Sequence, residues 1–409
     1  MITGQDGWSQ SPLEEIFEGL EKRPAAVNLA SFAGHGKLRA EVMGEDFRRH
    51  ATGAEVEAMI QLLERELSSG ALGLSSGLEY DPGIYSATDE VVALAKVAAA
   101  VGGSYISHIR SEDRRFWEAI EEILTIGREA GIPVQISHIK LALTSLHGQA
   151  EGLLERLDQA REEGIEVTAD IYPYTYWQST LRVMFPDRDY EDPAAAAFAI
   201  EQLALPEDML ISAFAPDPEL AGRTLAEISE LRGTEAAATL IDLIRESEQW
   251  RAKLGDDKGE TEVESVIAVS MREPDIERLM AWPHTGFCTD GALDGAHPRG
   301  FGAFSRVLGR YVRERGVLTL EEAIHRMTAM NAARFGLGAR GTVEVGQIAD
   351  LVLFDPDTIL DLATTDEPHA LSTGVERVWV GGRVVYEAGR ATGRRPGRVL
   401  RREGSREVL

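Results

Sequence analysis

The stretches GGSYISHIRSE (residues 102–112) and IPVQISHIK (residues 132–140) determine the fold we expect for this chain of 409 residues. Each is an apolar, strand-like run that ends near a histidine, and the two histidines, His108 and His138, are 30 residues apart. One β/α unit of a barrel takes about 30 residues, and polar residues at the C-terminal ends of its strands point into a shared site. The two stretches therefore predict barrel strands whose histidines face one pocket.

Other strand-like runs alternate with helical patterns along the chain. The strand candidates are residues 26–32, 71–75, 103–108, 132–138, 165–171 and 286–290. Between them, apolar residues recur with the helical period, for example over 90–101, 117–130 and 153–163, and Gly131 and Gly164 stand where helices should stop. Strands separated by helices of this length predict an α/β fold with a parallel sheet, and this many units favour a closed (β/α)8 TIM-like barrel.

The regular alternation is interrupted twice. Between about residues 186 and 264 a polar, acidic stretch with two short helical patterns predicts a subdomain inserted into the barrel. After Arg340 the chain changes to short strand-like runs with glycine turns, beginning with GTVEVGQ, which predicts a small β domain. We therefore expect a barrel over residues 1–340 and a β domain over 341–405, with a loosely ordered, arginine-rich tail from Arg390 onward.

A third strand-like run, TGFCTDG (residues 285–291), ends in Asp290. Two imidazoles and a carboxylate brought to the same end of a barrel suit a divalent metal ion and the base that activates its water. The sequence thus predicts a metal-dependent hydrolytic site with His108 and His138 as ligands.

Composition excludes several classes of partner. The net charge of −26 argues against nucleic acid and anionic membranes as partners. No run approaches the roughly 20 apolar residues of a membrane span, and the N-terminus lacks the pattern of a secretory signal. Cys288 is the only cysteine, which fits a reducing compartment. We expect a cytoplasmic protein.

Several blocks of sequence resemble one known family. They are GALGLSSGLEYDPGIYS (70–86), YISHIRSE, VQISHIK, ADIYPYTYWQST (169–180), TDG, HPRGFGAFSRVLGRYVRE (297–314) and GQIADLVLFD. In this order they are similar to the N-acyl-D-amino-acid deacylases, or D-aminoacylases, of the amidohydrolase superfamily. The resemblance implies a distorted (β/α)8 barrel with a zinc site, an inserted small domain and a β-sandwich built from both chain ends.

The chain departs from the family pattern at its start. Family members carry a His-X-His pair at the end of the first barrel strand, whereas this chain opens on TGQDGWS, which resembles the end of the second strand. We therefore expect the first strand and the N-terminal part of the sandwich to be missing, and the exposed strand edges to favour self-association. Where many relatives have a metal-bridging cysteine, this chain has Asp6, whose carboxylate is a harder donor than a thiolate.

The resemblance also implies roles for individual residues. Zinc would be held by Asp6, His108 and His138, and would polarise the acyl carbonyl and activate a water molecule. Asp290 would remove the proton from that water and return it to the departing amine. Residues expected to bind the anionic substrate, an N-acyl-D-amino acid, are Tyr80, Lys140, Ser179 and Arg299. Arg299 is the best carboxylate clamp, because a guanidinium offers a planar, two-pronged donor.

Two other interpretations remain open from the sequence. The chain could be a catalytically impaired fragment or pseudoenzyme of this family. It could also hydrolyse cyclic amides, as dihydroorotases and hydantoinases do with the same metal chemistry. Those enzymes usually carry a carboxylated lysine at the end of the fourth strand, and the corresponding run here, ALGLSSG, has none.

Overall fold

A parallel sheet forms the centre of the computed structural model, which describes residues 1–254 and 263–403. Its strands are β3 (Ala33–Gly34), β4 (Gly73–Gly77), β5 (Ser104–His108), β6 (Val134–Ile136), β7 (Val167–Ile171) and β12 (Thr285–Phe287), paired in that order. Beside them, β1 (Ile2–Thr3) pairs in parallel with β2 (Ala30–Ser31). These positions confirm the expected α/β, TIM-like arrangement, with observed strands shifted by a few residues from the expected ones.

Helices follow the strands and cover the sheet. They are α1 (Leu13–Lys22), α2 (His35–Met43), α3 (Gly53–Ser68), α4 (Thr88–Ala100), α5 (Phe116–Ala130), α6 (Ala150–Glu162), α10 (Glu273–Ala281), α11 (Arg299–Arg306), α12 (Leu320–Met327) and α13 (Ala329–Arg334). Helix α5 buries Ile120, Ile123 and Leu124 against the sheet, and Gly131 ends it with the left-handed φ of 62° expected of a C-terminal stop. No helix among the described residues is both long and apolar enough to cross a membrane.

An antiparallel sheet occupies the chain between β7 and β12. Its strands are β8 (Tyr176–Ser179), β9 (Met209–Phe214), β10 (Arg223–Thr224) and β11 (Glu264–Val269), and its helices are α7 (Pro193–Phe198), α8 (Leu225–Arg232) and α9 (Ala236–Leu254). Because β8 belongs to it, this unit begins before residue 186, earlier than we expected. Most of the charged run at 253–264 lies outside the described residues.

The C-terminal strands form a second antiparallel sheet. They are β13 (Leu351–Phe354), β14 (Val375–Val380), β15 (Arg383–Glu387) and β16 (Arg390–Ala391). The expectation of a strand in GTVEVGQ was wrong: Val343 and Val345 are fully solvent-exposed, and the alternating pattern has no neighbouring strand to pair with among the described residues.

The expected loose tail was also wrong as far as residue 403. Val399 pairs with Leu29, and the amide of Leu400 donates to the Leu29 carbonyl at 2.7 Å. The guanidinium of Arg401 lies 2.6 Å from Glu21. Backbone carbonyls also accept from the guanidinium groups of Arg401 and Arg402, contacts that a composition argument does not anticipate.

Close packing between β4 and β5 depends on a glycine. Gly73 lies opposite Ser104, and a Cβ at Gly73 would fall 1.9 Å from the Ser104 carbonyl oxygen and 2.6 Å from its nitrogen. Both contacts are with backbone, so the two strands would have to separate to admit a methyl group. Since β5 carries His108, this contact also fixes part of the site.

We predict that Gly73→Ala lowers the free energy of unfolding by about 3 kcal/mol, because overpacking against backbone cannot be relieved by a rotamer change. Gly152→Ala is the matched control, since Gly152 is exposed within α6 and a Cβ there would have no neighbouring atom within 4 Å. That change should stabilise by about 0.5–1 kcal/mol. Urea unfolding midpoints measure both, and equal midpoints would contradict the proposed contact.

Candidate active site

The predicted site residues meet at the C-terminal ends of the parallel strands. His108 is the last residue of β5, His138 follows β6 by two residues, and Asp290 follows β12 by three. Asp6 comes just after β1. Because parallel strands end at the same edge of a sheet, residues far apart in sequence are brought into one pocket.

Three of these residues have an unusual backbone conformation. Asp6, His138 and Asp290 have φ values of 53°, 36° and 46°, and only Arg188 and Ala388 share a positive φ among the other described non-glycine residues. Such conformations are uncommon for L-residues and concentrate at functional sites, where the surrounding structure imposes them. Their coincidence with the predicted ligands and base independently marks this edge of the sheet as the site.

Asp6, His108 and His138 present three ligand atoms to one point. Nδ1 of His108 is 3.0 Å from Nε2 of His138, and that Nε2 is 3.3 Å from Oδ2 of Asp6. The ligand atoms of the three residues all lie within 4.8 Å of one another. One carboxylate oxygen and two imidazole nitrogens form a donor set that zinc accepts.

Glu79 fixes the orientation of His108. Its Oε2 lies 2.8 Å from Nε2 of His108, so an ionised Glu79 accepts the Nε2 proton and Nδ1 is the nitrogen directed at His138 and Asp6. The ring of Tyr80 lies 4.3 Å from the His108 ring, and its hydroxyl is 3.1 Å from Nδ1. Burial raises the pKa of the Glu79 carboxyl, against the attraction of His108.

A second set of contacts orients His138. Its Nδ1 lies 2.6 Å from Nζ of Lys140 and 3.2 Å from Oε1 of Glu112, and Lys140 and Glu112 form an ion pair at 2.6 Å. The backbone amide of His138 donates to Oδ1 of Asp170 at 2.7 Å. The side chain of this histidine is therefore held by Lys140 and the half-buried Glu112, and its left-handed backbone by the buried Asp170.

The charge balance of the site fits a divalent cation. Although burial disfavours its ionisation, the charges of His138, His108 and Lys140 hold the pKa of Asp6 at about 2. Burial and Lys140 lower the pKa of His138, but nearby carboxylates outweigh them and raise it to about 10. Among the described contacts, buried Oδ1 of Asp6 has no hydrogen-bond partner. A metal ion would balance the surplus negative charge and satisfy that oxygen.

Asp290 is paired with Arg299. Nη1 of Arg299 lies 2.5 Å from Oδ2 of Asp290, and the guanidinium stacks 4.7 Å from the centre of the Tyr172 ring. His297 holds the start of the arginine's helix, because its Nδ1 accepts from the Arg299 amide at 3.0 Å. Arg299 is thus placed at the pocket, but its partner in the structure is the predicted base.

The structure brings all the predicted site residues together. Asp6 lies in the ligand cluster, and the remaining seven line one pocket: Tyr80, His108, His138, Lys140, Ser179, Asp290 and Arg299. Their individual roles stay predictions. The side chains that orient these residues were not predicted from the sequence: Glu79, Glu112, Asp170 and His297. Glu79 precedes Tyr80 and Glu112 lies four residues after His108, so the motifs contained the signal.

Comparison with known proteins assigns the family. Residues 274–386 match the model of the amidohydrolase family. D-aminoacylase of Alcaligenes xylosoxydans xylosoxydans is 35% identical over 390 residues, which cover 95% of this chain and 73% of that protein. This chain belongs to the D-aminoacylase family of amidohydrolases. N-acyl-D-glutamate deacylase of the same organism is 36% identical, over 95% of this chain and 72% of that family member.

A solved structure of the family extends the likeness to three dimensions. N-acyl-D-glutamate deacylase from Bordetella bronchiseptica, in complex with zinc and a phosphonate inhibitor that mimics the tetrahedral intermediate, superposes with a TM-score of 0.84 at 34% identity. The match covers 98% of this chain and 82% of that one. The zinc in that family member agrees with the donor set found here.

We predict that the purified protein binds about one zinc ion per chain and that His108→Asn/His138→Asn abolishes this binding, because two of the three ligands are lost. The control is His325→Asn at the exposed end of α12. Zinc is measured by elemental analysis after gel filtration. Equal zinc in the double variant and the control would place the metal elsewhere.

Proposed function

We propose that this protein hydrolyses the amide bond of N-acyl-D-amino acids in a zinc-dependent reaction that yields a carboxylate and a free D-amino acid. The observation that carries the proposal is the pocket in which Asp290 and Arg299 adjoin the Asp6/His108/His138 cluster. Membership of the D-aminoacylase family and the zinc–phosphonate complex of a family member support the same chemistry.

Each candidate site residue has its own role in the proposed reaction. Zinc, when bound by Asp6, His108 and His138, supplies a Lewis acid for the acyl carbonyl and lowers the pKa of the attacking water. Asp290 takes the proton of that water and delivers it to the departing amine nitrogen. Arg299 holds Asp290 in place and offers its remaining N–H groups to the substrate α-carboxylate. Tyr80, Lys140 and Ser179 line the pocket beside them.

Hydrolysis of cyclic amides is a weaker candidate. Strand β4 reads GLSSG and provides no lysine for the carbamate bridge of the usual binuclear site. A catalytically silent role is disfavoured because ligands, base and orienting carboxylates occur together in one pocket.

Location and partners stay proposals of the same kind. A single buried cysteine, Cys288, supports a cytoplasmic protein. The net charge of −26 supports a small molecule over nucleic acid as partner. Self-association remains a prediction.

The experiment that tests the function compares D and L substrates on the zinc-loaded protein and on Asp290→Asn. We expect release of the free amino acid from N-acetyl-D-leucine but not from the L-enantiomer, and a fall in kcat of about 10²–10⁴-fold in Asp290→Asn, because the proton acceptor is lost. The variant should keep its zinc. Full activity in Asp290→Asn, or equal rates on both enantiomers, would contradict the assignment.

A second prediction separates substrate binding by Arg299 from its support of Asp290. Arg299→Met should lower kcat/KM for N-acetyl-D-leucine, since the substrate carboxylate loses its charged partner. The loss should correspond to an activation free energy higher by about 2–4 kcal/mol. The matched substrate is the N-acetyl amine without the carboxylate, for which the loss should be smaller. Equal losses on both would mean that Arg299 acts only through Asp290.

A further inference from the structure

We propose that the pocket selects N-acyl-D-amino acids with uncharged, apolar side chains and rejects acidic ones. This inference rests on the proposed function and goes further by naming the substrate class. The relatives do not decide it, because D-aminoacylase, N-acyl-D-glutamate deacylase and N-acyl-D-aspartate deacylase are 35%, 36% and 35% identical to this chain.

One wall of the pocket is apolar. It consists of Ala142, Trp177, Val183 and Leu203, of which Ala142 and Leu203 are buried. Leu203 ends the π-helical stretch Ala199–Leu203 of the inserted unit, and Thr144 ties the loop carrying Ala142 to that stretch by donating to the Gln202 carbonyl at 2.9 Å. The insertion therefore brings hydrocarbon surface to a pocket whose barrel side is charged.

The pocket's own cations are already paired. Apart from the two candidate ligand histidines, which are neutral when they bind a metal, the cationic side chains among the described lining residues are Lys140, 2.6 Å from Glu112, and Arg299, 2.5 Å from Asp290. One substrate carboxylate can accept from the N–H groups of Arg299 that Asp290 does not occupy. A second would need a cation of its own, because an unpaired charge in a buried site is costly.

The lining also carries repulsive charge. Four carboxyl groups face the pocket, from Glu79, Glu112, Asp113 and Asp290. Gln178, the lining amide, uses one of its two Nε2 N–H groups to donate to Ser265 at 2.9 Å, and its Oε1 accepts from the His297 amide at 3.1 Å. An acidic side chain would therefore meet like charge and, apart from neutral hydrogen-bond donors, no cation of its own.

Two further arginines lie in the cleft that adjoins the pocket through Tyr80, Ser179 and Val183. Arg188 is held by Asp81 at 3.1 Å and by backbone carbonyls. Arg182 has looser partners, Glu248 at 3.7 Å and Glu264 at 4.0 Å. Arg182 is thus the cation that could recognise an acidic side chain, and the experiment includes a substitution of it.

The experiment measures kcat/KM of the zinc-loaded protein for the N-acetyl derivatives of D-leucine, D-methionine, D-glutamate, D-aspartate and D-lysine. We expect the leucine and methionine derivatives to exceed the acidic ones by on the order of 100-fold or more. The preference should persist at high salt, which screens the attraction or repulsion of the whole protein but not that inside the pocket. An acidic or basic derivative as the best substrate would overturn the inference, and so would loss of the preference at high salt.

Substitutions in and near the pocket test which residues determine its substrate preference. Leu203→Arg should raise the ratio of glutamate to leucine turnover about tenfold by supplying the missing cation. Leu205→Arg is the matched control, because Leu205 is 48% exposed and does not line the pocket. If Leu203→Arg does not fold, Val183→Arg at the half-buried end of the same wall replaces it. Appreciable glutamate turnover that disappears in Arg182→Met would assign acidic recognition to Arg182 and refute the proposal.

Binding separates failure of the inference from failure of the proposed function. Phosphonamidate analogues of the D-leucine and D-glutamate substrates are not turned over, and calorimetry gives their Kd on the zinc-loaded protein. Tighter binding of the leucine analogue without turnover of any substrate would refute the hydrolytic function and retain the selectivity. Turnover together with tighter binding of the glutamate analogue would retain the hydrolytic function and refute the selectivity.

Discussion

Surplus negative charge at the C-terminal edge of the sheet is the constraint on which the site depends. Asp6, Glu79, Glu112 and Asp290 surround two histidines, with Lys140 and Arg299 as the cations of the pocket. Buried carboxylates are costly unless each is paired. Without a metal, Lys140 and Arg299 pair with Glu112 and Asp290, and a proton on His138 offsets part of the remaining charge, because nearby carboxylates outweigh burial and raise its pKa to about 10. A divalent ion supplies two positive charges where that proton supplies one, and it binds only the deprotonated histidine, so metal binding and charge neutralisation are coupled.

The orienting residues explain how so much charge is held in a defined geometry. Glu79 contacts Nε2 of His108 and so directs Nδ1 at the proposed metal site, while Asp170 holds the backbone of His138 in a left-handed conformation. The sheet supplies the rest, because Gly73 lets β4 approach the strand that carries His108. Ligand position therefore depends on backbone contacts as much as on the ligands themselves.

The sequence predicted the parallel α/β arrangement and the two histidines at one edge of its sheet because both follow local rules. A strand-like run ending in histidine places that side chain at a known edge, and helices of suitable length make the neighbouring strands parallel. It missed the pairing of Arg299 with Asp290, which joins residues that no periodicity relates. The sequence also did not predict that the tail around Val399 is ordered, because Val399 pairs through its backbone with Leu29, a residue 370 positions earlier in the chain. Local sequence patterns identify the strands and helices. Contacts between residues far apart in the sequence decide which charged side chains remain unpaired.

The same surplus of charge connects metal binding to substrate choice. With a divalent ion in place, that ion, Lys140 and Arg299 balance Asp6, Glu79, Glu112 and Asp290, and Asp113 adds a further carboxyl group to the lining. A substrate with one carboxylate adds one negative charge beside a guanidinium that is shared with Asp290. A substrate with two would add a charge that no described group of the pocket is free to meet. The carboxylates that make the pocket a metal site thus also limit the charge of what can enter it, and the inserted unit, through Leu203, completes the pocket with an apolar wall.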